Sequence, residues 1–207
     1  MTEQQELWDK ERAQKHAKWM KMGSRVVYAP FAREIVKCLT PLERGSTIVD
    51  LGTGPGLLSI EICRLLPQAK IIGVDLSSEM LDIARKNAHE AGVSDYETRL
   101  GRAEEMPIES DSVNLVVTQS SLHEWENPQK GFSEIFRVLK PGGGLILKDY
   151  NRGWLSKWKR NLFKFFHDLE MFRFTLEEVV DLLREAGFDE IKGKERGVQF
   201  LVQALKR

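Results

Sequence analysis

The chain has 207 residues, with 31 Lys plus Arg set against 31 Asp plus Glu. That length suits one sizeable α/β domain with a small appendage, and the balanced charge gives no global field favouring nucleic acid or an anionic membrane. Cys38 and Cys63 are the only cysteines, too few for an iron–sulfur triad or a cysteine-built zinc site.

The two cysteines fit a reducing compartment. The N-terminus M-T-E-Q-Q-E-L-W-D-K-E-R is too polar for a signal peptide. No apolar run approaches the ~20 residues that span a bilayer. The expectation is a cytoplasmic protein with no metal.

Residues 1–45 are helical in pattern, with Trp8 and Trp19 on one face. Thr47–Leu51 reads as a buried strand, and Leu57–Leu66 as a helix stopped by Pro67, with Leu58, Ile62 and Leu65 on one face. Ile71–Asp75 is a second strand. Ser77 is placed to cap the helix that follows, and Gly92 to end it. Tyr96–Gly101 and Val113–Thr118 are the third and fourth strands. Pro128 suits the first turn of the next helix, where Phe132, Ile135, Phe136 and Leu139 form an i, i+3, i+4, i+7 stripe. K-P-G-G-G then turns the chain into a fifth strand, Leu145–Asp149. Thr175 and Glu178 form a capping-box pattern for a helix closed by Gly187. Glu190–Lys194 and Val198–Ala204 are too closely joined for a crossover helix, so that last pair is expected to be antiparallel.

Strand and helix alternate, which predicts an α/β fold with a doubly wound, mostly parallel seven-stranded sheet and an antiparallel C-terminal strand pair. Residues 1–207 read as a single domain, with a helical N-terminal segment (1–45) and a lid-like insert (151–173).

The stretch V-D-L-G-T-G-P-G, Val49–Gly56, places three glycines where the first strand turns into a helix. Such a loop lets a ligand approach bare backbone and aims helix N–H groups at it. Asp75 ends the second strand 19 residues after Gly56, where a carboxylate can accept bonds from both ribose hydroxyls. A dinucleotide fingerprint, G-x-G-x-x-G, needs a glycine at Leu57, but here it falls one place early. Asp50 beside the loop opposes a pyrophosphate and suits a ligand bearing an ammonium and a sulfonium, which is S-adenosyl-L-methionine rather than NAD.

With these motifs in order, the sequence resembles the class I methyltransferases that use S-adenosyl-L-methionine, with their Rossmann-like fold. The likeness runs from Ile48 to Asp149. V-D-L-G-T-G-P-G resembles the family's first motif, and G-V-D-L-S-S-E-M-L its second-strand motif. A-E-E-M-P-I-E-S-D-S-V-N-L-V-V resembles the adenine-lining segment, and F-R-V-L-K-P-G-G-G-L-I-L the passage into strand five. The nearest subgroup in likeness is the small-molecule enzymes of ubiquinone and menaquinone biosynthesis.

The resemblance implies that Gly52, Thr53, Gly54 and Gly56 surround the methionine half of the cofactor. Asp50 binds its amino group or orients the loop, and Asp75 holds the ribose. Leu76 and Met80 pack on adenine, Ala103 and Glu104 meet its edge, and Gln119 touches the methionyl moiety. S-adenosyl-L-homocysteine is then the product. One residue departs from the pattern: Arg102 stands where many relatives have an acid for the adenine amino group. Either Ala103 and Glu104 take over that contact or adenine is held more loosely.

Methyl transfer is an in-line displacement, and a base is needed only if the acceptor must lose a proton. T-Q-S-S-L-H-E-W, after strand four, lies where acceptors are usually met. It lacks the N/D-P-P-Y/F signature of enzymes acting on nucleobase or glutamine amino groups, and there is no Pro-Cys pair. A small-molecule acceptor is expected, and no nucleic acid. His123 has two readings, as a base or acceptor-orienting group, and as a packed ring bonded to a backbone carbonyl. Asp149 and Tyr150 end strand five at the same rim, as substrate contacts or as a strand cap.

Arg152–Lys164 carries five basic side chains and no acid, with Trp154, Trp158, Leu162, Phe165 and Phe166 at helical spacing. It reads as a lid over the acceptor pocket, as a membrane-surface element through 152–166, or, lowest in order, as a nucleic-acid contact. Trp8, His16, Trp19 and Tyr28 either close over the cofactor or pack on the sheet edge, and of these Tyr28 is the one most expected near the cofactor. Two other functions stay open: a protein that binds S-adenosyl-L-methionine as a sensor or partner module without methyl transfer, and, lower in order, an NAD(P)-linked oxidoreductase. The oligomeric state is not legible.

Overall fold

The computed structural model describes residues 11, 13–15, 17, 18, 24–38, 45–155 and 171–207. Trp8, His16 and Trp19, and Trp158, Leu162, Phe165 and Phe166 of the insert, lie outside the described residues. The elements in chain order are α1 (Ser24–Cys38), β1 (Thr47–Leu51), α2 (Leu57–Leu65), β2 (Lys70–Asp75), α3 (Ser78–Glu90), β3 (Tyr96–Leu100), β4 (Val113–Gln119), α4 (Pro128–Val138), β5 (Leu139–Tyr150), α5 (Leu176–Glu185), β6 (Asp189–Arg196) and β7 (Gln199–Leu205). The strands form one seven-stranded sheet in the order β3-β2-β1-β4-β5-β7-β6. β1 pairs with β2, β2 with β3 and β4 with β5 in parallel, whereas β7 runs antiparallel to both β5 and β6. The doubly wound sheet with an antiparallel closing pair is therefore borne out. By its internal contacts the chain divides into two compact units, Met1–Arg102 and Ala103–Arg207.

In the first unit, Ile48, Val49, Leu51, Ile71, Ile72 and Val74 are buried, as expected of parallel strands covered on both faces. α1 packs against α2 through a buried set that includes Phe31, Ala32 and Ile35. The expected stripe on α2 holds for Leu58 and Ile62 but fails at Leu65, which is 40% exposed. The helix ends at Leu65, the backbone leaves helical geometry at Leu66, and the Leu66 side chain turns inward instead. Ser77 caps α3 by accepting the Met80 N–H at 3.2 Å, and Gly92 leaves it in the left-handed region.

In the second unit, Asn127 caps α4 through the Lys130 N–H, and Pro128 occupies the first helical position. Phe132 and Ile135 are fully buried. Leu139, expected to end the helical stripe, instead opens β5, because α4 stops at Val138. β5 thus starts earlier than the K-P-G-G-G turn implied. Leu139 pairs with Val113 and Gly144 with Leu115, so the residues between form an irregularity in the ladder. A Cβ at Gly143 would lie 2.8 Å from the Lys140 carbonyl oxygen, so only glycine fits. Lys206, near the C-terminus, reaches back to this corner and donates to Asp111 Oδ1 (2.7 Å), Phe136 O (2.8 Å) and Leu139 O (2.7 Å). Phe136 is half-buried, edge-on to Phe188 and 4.7 Å beneath the Lys206 ammonium. α5 carries the expected capping box between Thr175 and Glu178. β6 is a charged, exposed edge strand, a pattern that discourages pairing with other chains.

Candidate functional site

The glycine loop follows β1 as expected. Gly52, Gly54 and Gly56 have φ of 72°, 51° and 75°, the left-handed region that side chains disfavour. Gly52 N–H and Thr53 N–H both donate to Val74 O, at 2.8 and 3.0 Å, which ties the loop to β2. A Cβ at Gly56 would come within 3.0 Å of the Ala84 Cβ on α3 and 3.3 Å of Tyr96 Cε1, so this glycine also serves packing. A Cβ at Gly54 would meet nothing within 4 Å, so the loop is open there.

Asp50 is 2% exposed and organises the loop from beneath. Its Oδ2 accepts from Ser59 Oγ (2.6 Å) and Thr53 Oγ1 (2.9 Å), and the Ser59 N–H also bonds the carboxylate. Burial raises its pKa to about 6, against the opposing hydroxyl bonds and with a small addition from the Asp75 charge. Thr53 Oγ1 lies 2.9 Å from the Tyr96 hydroxyl and 3.1 Å from Ser59 Oγ. Burial also pushes the Tyr96 phenol upward.

Asp75 is half-buried at the end of β2. Its Oδ2 accepts the Gly54 N–H at 2.7 Å and its Oδ1 the Ser77 N–H at 3.0 Å, so one carboxylate joins the glycine loop to the start of α3. Burial raises its pKa, while the N–H bonds from Ser77, Gly54 and Leu76 pull the other way. Leu76 is half-buried and Met80 buried beside it, and Tyr28 is half-buried on α1.

Ser59, Gly73 and Tyr96 are the parts of this network that the sequence reading missed. The available signal was Gly73, an isolated glycine inside the apolar strand I-I-G-V-D, which marks a close approach.

In the second unit, β4 ends at Gln119 and Ser120 takes a left-handed φ of 54°, an unusual conformation for a residue with a side chain. A short 3₁₀ turn, Leu122–Glu124, follows. Leu122 and Trp125 are buried, and Trp125 donates from Nε1 to Ser121 Oγ at 3.0 Å. Gly131 makes room for the indole, since a Cβ there would lie 2.7 Å from it.

Between these anchors His123 Nδ1 meets Asp149 Oδ1 at 2.9 Å, rather than a backbone carbonyl. Asp149 Oδ1 also accepts the Tyr150 N–H at 2.7 Å. Burial lowers the His123 pKa, but the bond and charge of Asp149, with the Glu124 charge, outweigh it and the opposing Arg173, so the net shift is upward. Tyr150 lies edge-on to His123 at 5.7 Å, Phe172 is 5.6 Å from Tyr150, and Trp154 stacks on Phe172 at 6.5 Å.

The structure thus gathers Asp50, Gly52, Thr53, Gly54, Gly56 and Asp75 into one network, and His123, Asp149 and Tyr150 into another. Ala103 and Glu104 are buried near the start of α4, where Glu104 Oε1 accepts the Asn127 N–H at 2.9 Å. Buried Gln119 Oε1 has no hydrogen-bond partner among the described residues. No cluster of His, Cys, Asp or Glu among the described residues is placed to hold a metal ion, and no described helix is long and apolar enough to cross a membrane.

Residues 42–189 match the family described as "Methyltransferase domain". Over 155 residues the chain is 32% identical to 2-methyl-6-phytyl-1,4-hydroquinone methyltransferase 1, chloroplastic, of Oryza sativa subsp. japonica, covering 74% of this chain and 44% of that one. It is 40% identical over 119 residues to the demethylmenaquinone methyltransferase of Chlorobaculum parvum, covering 58% of this chain and 45% of that one. The matches therefore span less than half the length of these two relatives. Among solved structures, a Methanococcus maripaludis protein assigned to the S-adenosyl-L-methionine-dependent methyltransferases superposes with a TM-score of 0.79 at 25% identity, covering 96% of this chain and 93% of that one. Fold, motif order and family match agree: the chain belongs to the S-adenosyl-L-methionine-dependent methyltransferases.

Proposed function

We propose that the protein moves the methyl group of S-adenosyl-L-methionine to a small-molecule acceptor of the reduced-quinone type. Gly54 carries the cofactor half of this reading: it is left-handed, its Cβ side is open, and its N–H is fixed by Asp75. The donor set fits the ligand. A carboxylate offers about four lone-pair sites, so Asp75 keeps capacity for ribose hydroxyls beyond the backbone groups it already serves. A pyrophosphate brought to the same loop meets two carboxylates, Asp50 and Asp75, instead of a bare helix N-terminus.

In this reading Gly52, Thr53, Gly54 and Gly56 pass the methionine half along the loop backbone, while buried Asp50 keeps the loop in shape. Leu76 and Met80 face adenine. Ala103, Glu104 and Gln119 are assigned to the same ligand by motif resemblance, and Tyr28 by its place in the N-terminal segment. Bound there, the cofactor supplies a methyl group on a sulfonium leaving group. The chain's own contribution is alignment and exclusion of water, which can lower a barrier by about 7–11 kcal/mol. The acceptor class is supported by the hydroquinone and menaquinone substrates in the relatives' names and by the aromatic face of Tyr150 and Phe172 beside His123.

Titration calorimetry with S-adenosyl-L-homocysteine tests the cofactor half. Asp75→Ala is expected to weaken binding about tenfold or more, since a hydrogen bond to a charged group contributes about 1.5–3 kcal/mol. Binding of NADH with none of S-adenosyl-L-homocysteine overturns it. Turnover of S-adenosyl-L-methionine with 1,4-naphthoquinol or methyl-1,4-hydroquinone tests the acceptor half. Cofactor binding without turnover on either quinol overturns that half alone.

A further inference from the structure

The carboxyl ends of β4 and β5 hold polar groups that the fold leaves unused. Asp149 is 2% exposed, yet its Oδ2 has no hydrogen-bond partner among the described residues, and neither has Thr118 Oγ1. An unpaired buried carboxylate oxygen costs about as much as a lost hydrogen bond, so this site is built to receive a donor. The other oxygen of Asp149 faces His123 Nδ1. An ionised carboxylate only accepts, so Nδ1 carries the proton and the neutral ring presents a lone pair at Nε2.

Half-buried aromatic rings continue from this pair through Tyr150 and Phe172 to Trp154. Arg173 donates to the Trp125 carbonyl and, at 3.4 Å, to the His123 carbonyl. It therefore ties the C-terminal end of the insert to the loop that carries the imidazole.

Resting on the methyltransferase reading, we propose that His123, oriented by Asp149, is the base that takes the proton of an aromatic hydroxyl on the acceptor, and that Arg173 is a positioning residue for it. The acceptor O–H bond breaks, the proton bonds to Nε2, and the electron pair stays on oxygen and spreads into the ring. That oxygen, or the ring carbon ortho to it, then bonds to the methyl carbon as the methyl–sulfur bond breaks, with the electron pair leaving on sulfur. After attack through carbon, the ring proton is lost from that carbon and one is regained at oxygen to restore the aromatic ring. The imidazolium returns its proton to solvent after product leaves. The step is needed because a neutral phenol is a weak nucleophile even toward a good leaving group. The groups facing the imidazole agree with a base: Asp149 and Glu124 strengthen it, Arg173 opposes them, and the net shift is upward.

The test uses 4-nitrophenol, whose phenolate is coloured, bound to enzyme saturated with S-adenosyl-L-homocysteine below the pH at which the free phenol ionises. The phenolate band is expected on the wild type, absent in His123→Gln and reduced in Asp149→Asn, with S-adenosyl-L-homocysteine affinity within about twofold of wild type. Arg173→Ala is expected to weaken the band and Arg173→Lys to restore part of it. In turnover, His123→Gln should cost about 10²–10⁴-fold with methyl-1,4-hydroquinone and far less with the readily ionised 4-nitrophenol. Equal losses on both phenols, a bound phenol that stays neutral on the wild type, no phenol binding, or preferential methylation of phenethylamine overturns the proposal. An unchanged band in Arg173→Ala removes Arg173 from it. Wild-type enzyme that fails to bind S-adenosyl-L-homocysteine overturns the methyltransferase reading itself.

Discussion

The Tyr96 hydroxyl reaches Thr53 only because Gly73 has no side chain: a Cβ at Gly73 would lie 2.1 Å from the Tyr96 oxygen. β2 and β3 pair in register at Gly73 and Thr98, so the phenol of Tyr96 crosses the bare backbone of its neighbour strand to enter the network under the cofactor loop. Gly73→Ala is expected to destabilise the protein by about 1–3 kcal/mol through overpacking and to weaken S-adenosyl-L-homocysteine binding in parallel. Tyr96→Phe removes one hydrogen bond at constant shape and should cost about 1 kcal/mol. Urea denaturation and calorimetry of the two variants check the order.

Asp50 gives the fold a pH dependence of its own. Its folded pKa of about 6 lies above the ordinary carboxyl value of 3.8, so the folded state holds the proton more tightly than the unfolded chain. Stability contributed by the protonated carboxyl is present at low pH and is lost as pH rises from about 4 to about 6. Wild type should therefore lose stability relative to Asp50→Asn across that window, by an amount on the order of 3 kcal/mol, and the difference should be flat above it. Urea midpoints of both proteins at several pH values test this, and a difference that grows as pH falls contradicts it.

His123 acts in the same sense at higher pH. Its folded pKa is raised, so the stabilisation from its charged pair with Asp149 is complete below the unfolded value of about 6.5. That stabilisation is lost as pH rises through the folded value. The stability gap between wild type and Asp149→Asn should narrow over that range, and the His123 imidazole resonance should titrate at lower pH in the variant.

Lys206 holds the corner where α4 hands over to β5. It is 9% exposed and donates to two carbonyls and to Asp111. Lys206→Met keeps most of the stem and removes the ammonium, and is expected to cost about 1.5–3 kcal/mol in urea denaturation. Asp111→Asn alters only the exposed end of the same contact and should cost under about 1 kcal/mol.

Features with a local cause were legible in the sequence. The left-handed glycines at 52, 54 and 56, the Ser77 cap and the Thr175–Glu178 capping box each depend on spacing within a few residues. The mostly parallel sheet followed from the alternation of apolar runs with helical stripes, and its antiparallel closing pair from the short last connection. Contacts joining distant stretches were not legible. His123 and Asp149 were both singled out, but their direct pairing depends on the loop after β4 turning back at Ser120. Thr53 and Tyr96 are separated by 43 positions, and no period in the sequence links them. Leu65 and Leu139 fit their helical stripes by spacing alone, but Leu65 is the last residue of α2 and Leu139 lies beyond the end of α4.

At the base of the insert, Asn151 bridges Phe174, Arg152 N–H donates to Phe174 O at 2.8 Å, and the Arg152 guanidinium pairs with Glu178. Adjacent strands lie about 4.8 Å apart, so the chain leaves β5 and returns toward α5 through a neck one bridge wide. The exit from β5 and the entry to α5 are therefore tied directly to each other, by contacts of residues 151, 152, 174 and 178.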